Sequence, residues 1–472
     1  MKTLYFAVQK IKNSALNKNR SIDISLVSGL LRGAGASGLL QIASMGLAFI
    51  AQITLARVMG VEQYGIYTYV LACFNVLLLF SVMGWDTTLV RYVSAYRVNA
   101  SWPLMKGLLK VSTRYSLLAS TVVGMLAMAV LWSFREGVST ELFYSFAISF
   151  LMLPVWAIAH LRTSALKGMK HIVLEQLPYL FQIITLIVTT ILISRLFGRS
   201  LHSRETLTLN LLASLMMLIV SHYWFSVYVH RRTRADAGHS DIHLSDTYDS
   251  DTHCSDIQYR ANEWLKVTFP LLFTSGIYMF LNQMDIIMMG SLRGTTEAGI
   301  YSVASRITTL LALGLTSASA ITAPTISELY TQRQWHKLQQ TVNVALWVGL
   351  GFAVPLFVIL MTAGGYILTF FGPAFIAGVT TLQILSANQL FNTLTGPSGH
   401  LMTMTNYHNQ YVVILAIALA ANGLLNYLLI PQYGMTGAAL ATSVSNIGMN
   451  LSVVIFVYRS FGIKSFISWV AR

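Results

Sequence analysis

The chain has 472 residues, of which 55% are hydrophobic and 10% charged, with a formal charge of +14 and a mean hydropathy of +0.62. A soluble domain carries roughly a quarter charged residues, so there is too little charge here to coat soluble surfaces, and lipid must solvate most side chains. The basic excess does not indicate nucleic acid, because the cations stand between apolar runs, mostly in alternate loops.

Residues 1–26 form a polar, basic N-terminal tail with no apolar core leading to a small-residue cleavage site, so no cleaved signal peptide is expected. Apolar runs follow at 27–58, 64–90, 108–132, 142–165, 176–197 and 207–229. After a hydrophilic break at 230–262 they resume at 263–291, 298–323, 341–362, 379–403, 411–430 and 435–459, before a C-terminal tail at 460–472. Each run holds about the 20 residues a bilayer needs, and in lipid such runs are helices because every backbone group must be satisfied within the segment. The fold expected is an all-α integral membrane protein of about twelve transmembrane helices. They form two six-helix bundles, 27–229 and 263–459. Pro154, and the amides Asn388, Gln389 and Asn392, interrupt the fourth and tenth runs.

Of the 31 lysines and arginines, 24 fall on one side of this arrangement, together with both tails and the linker. The positive-inside rule makes that side cytoplasmic. The linker carries His239, His243 and His253 among six aspartates. With so few apolar residues it is expected to be a solvated, disordered connection rather than a metal site. Cys73 lies in an apolar run and Cys254 in the linker, so no disulfide framework is implied.

The halves resemble each other. MGVEQYGIY (59–67) and RGTTEAGIY (293–301) each join the first and second helix of a half, with Gly65 and Gly299 standing 234 positions apart. Trp102 and Trp335 follow in matching basic segments. With an even number of helices per half, both halves enter the membrane the same way, so the pseudo-twofold axis lies along the membrane normal. The first helices of the halves are expected to be interrupted, one at Gly33, Gly35 and Gly38, the other at Pro270. Such matched interruptions mark a transport site or gate; close helix packing is the other use of the glycines.

ITLARVMGVEQYGIYTYVLACF (53–74), GWDTTLVRYVSAY (84–96) and MDIIMMGSLRGTTEAGIYSVASRI (284–307) resemble polysaccharide transporters of the multidrug/oligosaccharidyl-lipid/polysaccharide (MOP) exporter superfamily. FGPAFIAGVTTLQILSANQLF (371–391) and LIPQYGMTGAALATSVSNI (429–447) extend the similarity over nearly the whole chain. Wzx-type O-antigen flippases, with twelve helices, are the most similar pattern. The resemblance implies a MATE-like fold in a bacterial inner membrane, with both termini cytoplasmic. It also implies movement of an undecaprenyl-diphosphate-linked oligosaccharide to the periplasmic leaflet. The partners implied are that lipid-linked oligosaccharide, membrane lipids and other polysaccharide assembly proteins, with no nucleic acid.

A diphosphate and a glycan cannot cross hydrocarbon without hydrogen-bond partners. A wet path with cations for the diphosphate and amides for the sugars is needed, and intramembrane charges are the first candidates. Arg306 lies about 12 Å into the eighth run at 1.5 Å per residue, and Asp285 lies at similar depth in the seventh. The two either pair permanently, or Arg306 meets the diphosphate while Asp285 is its resting counterion or a coupling-ion site. Arg32, Lys110, Arg114, Arg162 and Lys266 stand near cytoplasmic helix ends, where they anchor helices or together form a vestibule for the diphosphate. Asp86 is expected to pair with Arg91 or Lys110, proton carriage being its sharper role, and His160 to be a satisfied helix-end residue. Asn282, Gln283, Asn388 and Asn392 are candidate sugar contacts; interhelical hydrogen bonding is their other use. Asn422 with Asn426, and Asn446 with Asn450, are spaced to share a helix face.

No Walker-type phosphate loop, Cys/His metal spacing or nucleophile elbow is present. The sequence therefore predicts neither catalysis nor a cofactor, and transport would draw on a proton or sodium gradient or on use of the product outside. The competing readings are a multidrug exporter of the same superfamily, and a membrane-embedded glycan polymerase or ligase. The latter needs a substantial outer loop, which is absent here.

Overall fold

The structure is a computed structural model that describes residues 24–99, 101–169, 172–240 and 258–466. The chain divides into two units, Met1–Gly46 and Leu47–Arg472. The described part of the first is helical from Ile24 onward; the second holds the remaining helices.

Helix Ile24–Val82 is broken at Gly60, whose φ of 77° and ψ of 169° leave the helical region. Its arms are α1 (24–59) and α2 (61–82). Then follow α3 (Trp85–Val98), α4 (Trp102–Ser133), α5 (Thr140–Gly168), α6 (Ile172–Phe197) and α7 (Ser203–Ser240). The second half opens with α8 (Ala261–Leu292), α9 (Thr295–Thr309), α10 (Leu313–Thr331), α11 (Trp335–Thr369), α12 (Val379–Leu394) and α13 (Ser398–Thr403). Helix His408–Phe461 is broken at Gly434, with φ 56° and ψ −135°, into α14 (408–433) and α15 (435–461). Ten described helices are long and apolar enough to cross a membrane. Counting the two broken ones as their arms gives the expected twelve spans.

The helices are inside-out relative to soluble ones. On α4, Ser112, Ser116 and Ser120 are buried while Leu117, Leu118, Val122, Met125 and Leu126 are exposed. The Ser116 hydroxyl donates to the Ser81 carbonyl at 2.7 Å. Apolar surface loses nothing by facing lipid, so small polar residues take the helix contacts.

The repeat extends to backbone breaks. Gly60 and Gly294, 234 positions apart, both have positive φ (77° and 104°). The second segment of each half is broken again, at Met83–Gly84 between α2 and α3 and at the 3₁₀ turn Leu310–Ala312 between α9 and α10. Trp102 and Trp335 each begin a helix.

Several expectations are corrected. α1 runs unbroken through Gly33, Gly35 and Gly38, with its break at Gly60; in lipid, glycines keep their helical backbone bonds unless the chain must turn. Side chains in this stretch, Arg32 included, lie outside the described residues. α8 is continuous through Pro270, and α5 through Pro154. The tenth run breaks at Gly396, whose φ is 63°, and Pro397 rather than at its amides. The linker is shorter than expected, because α7 continues to Ser240 and takes His239 with it. His243, His253 and Cys254 lie outside the described residues. Among the described residues no cluster of His, Cys, Asp or Glu could hold a metal. The first residues of the C-terminal tail are anchored: Gln339 donates to the Lys464 carbonyl and accepts from its amide, both at 2.7 Å.

Candidate functional site

The two halves meet where the repeat motifs lie. A Cβ on Gly299 would sit 2.6 Å from the Gly65 Cα, and one on Gly65 would strike the Thr295 carbonyl. The same Cβ on Gly299 would approach the Val61 carbonyl at 3.5 Å. Val61 and Thr295 are related by the same offset of 234 as Gly65 and Gly299. Residue i touching j while j's equivalent touches i's is the signature of a twofold contact, so the pseudo-axis passes between α2 and α9 at this crossing. Around it, the Arg57 Nε donates to the Phe370 carbonyl at 2.6 Å. Tyr64 stacks edge-on with Phe375, and Phe49 with Phe371.

Behind this contact, each half holds a polar cluster centred on the tyrosine of its GIY motif. In the second half the Tyr301 hydroxyl donates to Asp285 Oδ2 at 2.5 Å, and the Thr442 hydroxyl to the same oxygen at 2.6 Å. Asn426 Nδ2 donates to Asp285 Oδ1 at 2.7 Å and to Asn422 Oδ1 at 3.0 Å. Thus α8, α9, α14 and α15 converge on one carboxylate that is 6% exposed. The Asn426 Oδ1 is buried with no partner among the described residues. In the first half Asn210 Nδ2 donates to the Tyr67 hydroxyl at 3.3 Å, and Gln182 Nε2 to Asn210 Oδ1 at 3.2 Å. Trp156 Nε1 reaches Ser214 at 2.8 Å. The first cluster is neutral and the second acidic. The position equivalent to Asp285 is Ala51.

Arg306 does not pair with Asp285. Among the described residues it makes no ion pair. It is exposed, within electrostatic reach of the Tyr64 and Tyr67 hydroxyls of the other half. The reason is rotational. Tyr301 and Arg306 are five residues apart on α9, about 140° around a helix of 3.6 residues per turn. The face that meets Asp285 therefore turns Arg306 away, toward the first half.

Of the expected vestibule, Lys110, Arg114 and Arg162 come together, joined by Lys106, in a pocket of about 450 Å³. Lys266 is exposed on α8 and does not line it. Asp86 pairs with neither Arg91 nor Lys110; the basic side chain beside it is His160, with Nε2 at 3.9 Å. The His160 Nδ1 bonds the Tyr179 hydroxyl at 2.8 Å, so it is satisfied as expected. Of the amides, Asn282 donates to the Tyr278 carbonyl of its own helix at 2.6 Å, and the buried Asn388 has an unpartnered Oδ1 among the described residues. Gln283 and Asn392 are half-buried and join neither cluster. Asn422 and Asn426 share a face as their spacing predicts. Pro270 lies beside the break at Gly84, where a Cβ would meet the Thr268 carbonyl at 2.8 Å. Thr88 and Thr268 hydroxyls bond there at 2.9 Å. Sequence reasoning missed Tyr301, Thr442, Tyr67, Asn210 and Lys106. The GIY tyrosines were visible only as markers of the repeat.

The chain matches the family profile described as polysaccharide biosynthesis protein over residues 30–330, and the MatE profile over 270–428. It is 30% identical to the probable flippase AglR of Haloferax volcanii over 173 residues, 35% of this chain and 36% of that protein. It is 24% identical to the capsular polysaccharide biosynthesis protein CapF of Staphylococcus aureus over 46% of this chain and 56% of that one. The chain thus aligns with about a third to a half of the length of these relatives. Among solved structures, an inward-facing multidrug resistance MATE family transporter of the MOP superfamily matches with a TM-score of 0.68 at 11% identity, covering 90% of this chain and 98% of that one. The lipid II flippase MurJ in an inward closed conformation matches at 0.64 with 17% identity, covering 91% and 89%.

Proposed function

Because the chain belongs to the polysaccharide biosynthesis protein family, we propose that it is a flippase that carries a lipid-linked oligosaccharide across a membrane by alternating access. The observation that carries this reading is the reciprocal crossing at Gly65 and Gly299. Two related halves cross there backbone on backbone, and parting them at this point breaks the Arg57–Phe370 hydrogen bond and the neighbouring ring contacts rather than an ion pair. Arg306, which makes no ion pair among the described residues, sits on the face turned toward the other half. The cargo is a surface-polysaccharide repeat unit, O-antigen among them, on undecaprenyl diphosphate, moving from the cytoplasmic to the periplasmic leaflet of a bacterial inner membrane. Its prenyl tail stays in lipid while its head passes between the halves. Asp285 and its ring of Tyr301, Asn422, Asn426 and Thr442 are the site for a driving proton or sodium ion: a buried carboxylate supplies the charge, and the amide and hydroxyl oxygens supply further ligands. Assembly proteins for the same glycan are the partners on either side.

Reconstituted protein is expected to deliver undecaprenyl-diphosphate-linked oligosaccharide to a leaflet where a glycosidase can reach it. Transport of a small cationic dye with no glycan movement would overturn the reading in favour of a multidrug exporter. Arg306→Ala and Arg306→Glu should lose most of this transport at normal abundance. Arg306→Lys should keep part of it, because it retains charge without the planar fork. Full transport by Arg306→Ala would exclude its contact with the diphosphate. The Lys/Arg distribution supports cytoplasmic termini and linker; labelling of Cys254 from outside intact cells would overturn that orientation.

A further inference from the structure

We propose that the pocket between α4, α5 and α7 is a binding site for the headgroup of an anionic glycerophospholipid of the surrounding bilayer, separate from the transport path. Lys106, Lys110 and Arg114 stand one turn apart along a single face of α4, and Arg162 of α5 closes the group. Like charges at this spacing repel. Among the described residues no carboxylate lines the pocket, and none of the four cations makes an ion pair with another of them. The Arg162 Nε is buried without a hydrogen-bond partner among the described residues, and its guanidinium lies 5.2 Å from the Phe225 ring centre. Four cations gathered with an orphaned donor need an anion rich in acceptor oxygens. A phosphate diester fits, since guanidinium and ammonium groups both bind it.

The rest of the lining identifies the bearer of that phosphate. Leu109, Leu117 and Phe225, with Thr113, complete the described lining. Leu117 and Leu118 are 43% and 56% exposed, and the exposed apolar face of α4 continues through Val122, Met125 and Leu126. A phosphate held by the cations would therefore have its acyl chains on this lipid-facing surface. Basic pockets between transmembrane helices take anionic lipid headgroups in this manner. The cargo is the weaker occupant, because no described residue of the second half lines the pocket. A transport site must be reshaped when the halves move.

Native mass spectrometry of the purified full-length protein tests the proposal. Wild type is expected to retain phosphatidylglycerol and to discriminate against phosphatidylcholine. The Lys110→Gln/Arg114→Gln variant should bind phosphatidylglycerol about thirtyfold more weakly, and Lys106→Gln alone about fivefold; the single variant carries the test if the double one folds poorly. Lys266→Gln, outside the pocket, should bind as wild type does. Unchanged binding in the pocket variants overturns the proposal, as does equal retention of phosphatidylcholine. Displacement of phosphatidylglycerol by equimolar undecaprenyl diphosphate also overturns it and makes the pocket a cargo subsite. Competition by inorganic phosphate at similar concentration would make it a site for free anions instead.

Discussion

Asp285→Asn is expected to reduce glycan transport at least about tenfold, equivalent to ~1.4 kcal/mol of lost driving or transition-state free energy, while abundance in the membrane stays within about twofold. The carboxylate accepts from Tyr301, Thr442 and Asn426, and the amide keeps one acceptor oxygen and nearly the same volume. Its new NH₂ group faces donors, but the hydroxyls of Tyr301 and Thr442 can rotate and accept instead. Asp285→Ala is the harsher change. It strands those donors in a buried site, at about 1–3 kcal/mol for each one left unsatisfied, and should lower abundance as well. The measurement is glycan delivered per molecule of membrane protein, with proton and sodium gradients imposed separately. A coupling site predicts that Asp285→Asn loses the response to one of the two gradients. A purely structural carboxylate predicts lower abundance with unchanged transport per molecule and an intact gradient response, and that result would end the coupling assignment.

Gly299→Val should be strongly damaging for so small a substitution. The contact it invades is backbone on both sides, with Gly65 Cα 2.6 Å from the added Cβ, so no flexible side chain can move out of the way. Overpacking of this kind is worth about 1–3 kcal/mol. Here it acts on one conformation only, the one in which α2 and α9 touch, and so shifts the balance between conformations by roughly ten- to a hundredfold. The variant should fold, insert and stay parted at this crossing. A cysteine at Arg57, whose guanidinium holds the Phe370 carbonyl when the crossing is closed, should then label faster than in the otherwise native chain, while transport falls with it. Gly65→Val should behave alike, because the contact is reciprocal. Normal transport by a well-expressed Gly299→Val would show that the crossing does not have to close.

The distribution of apolar runs and cations made the twelve spans legible, because a bilayer imposes length and backbone satisfaction on every segment. The glycines of the GIY motifs were legible as a repeat, but not as the contact between the halves. Sequence spacing gives which residues share depth; it does not give how far each helix is rotated. Asp285 and Arg306 were therefore placed at one level, with pairing as one of two readings, when the five-residue step along α9 from Tyr301, which meets Asp285, turns Arg306 away from it. Tyr301 and Thr442, uncharged and unremarkable in an apolar run, gave no sign that they would close on the carboxylate. The linker misled for another reason. Its first residues are polar and contain good helix formers such as Arg and Ala, and α7 carries them outward as helix. The breaks at Gly60 and Gly434 fell between runs that the sequence separated, so there the chain reads the same in both descriptions.

Under the ion coupling proposed for Asp285, the unequal polar clusters also limit what the chain could accumulate. Position 51 is alanine, and the first-half cluster is built on Gln182 and Asn210, so of the two described clusters only the one at Asp285 would offer a buried negative charge to a counter-moving ion. One monovalent cation exchanged per cycle across 100 mV supplies about 2.3 kcal/mol, a concentration ratio of roughly fifty. That figure is the ceiling contributed by the potential through this site, whatever the turnover rate. A second carboxylate in the first half would square it. With only one, net export continues only while reactions that remove the glycan on the far side hold it below that ratio, so the steady level of the carried intermediate would report demand for it as much as supply.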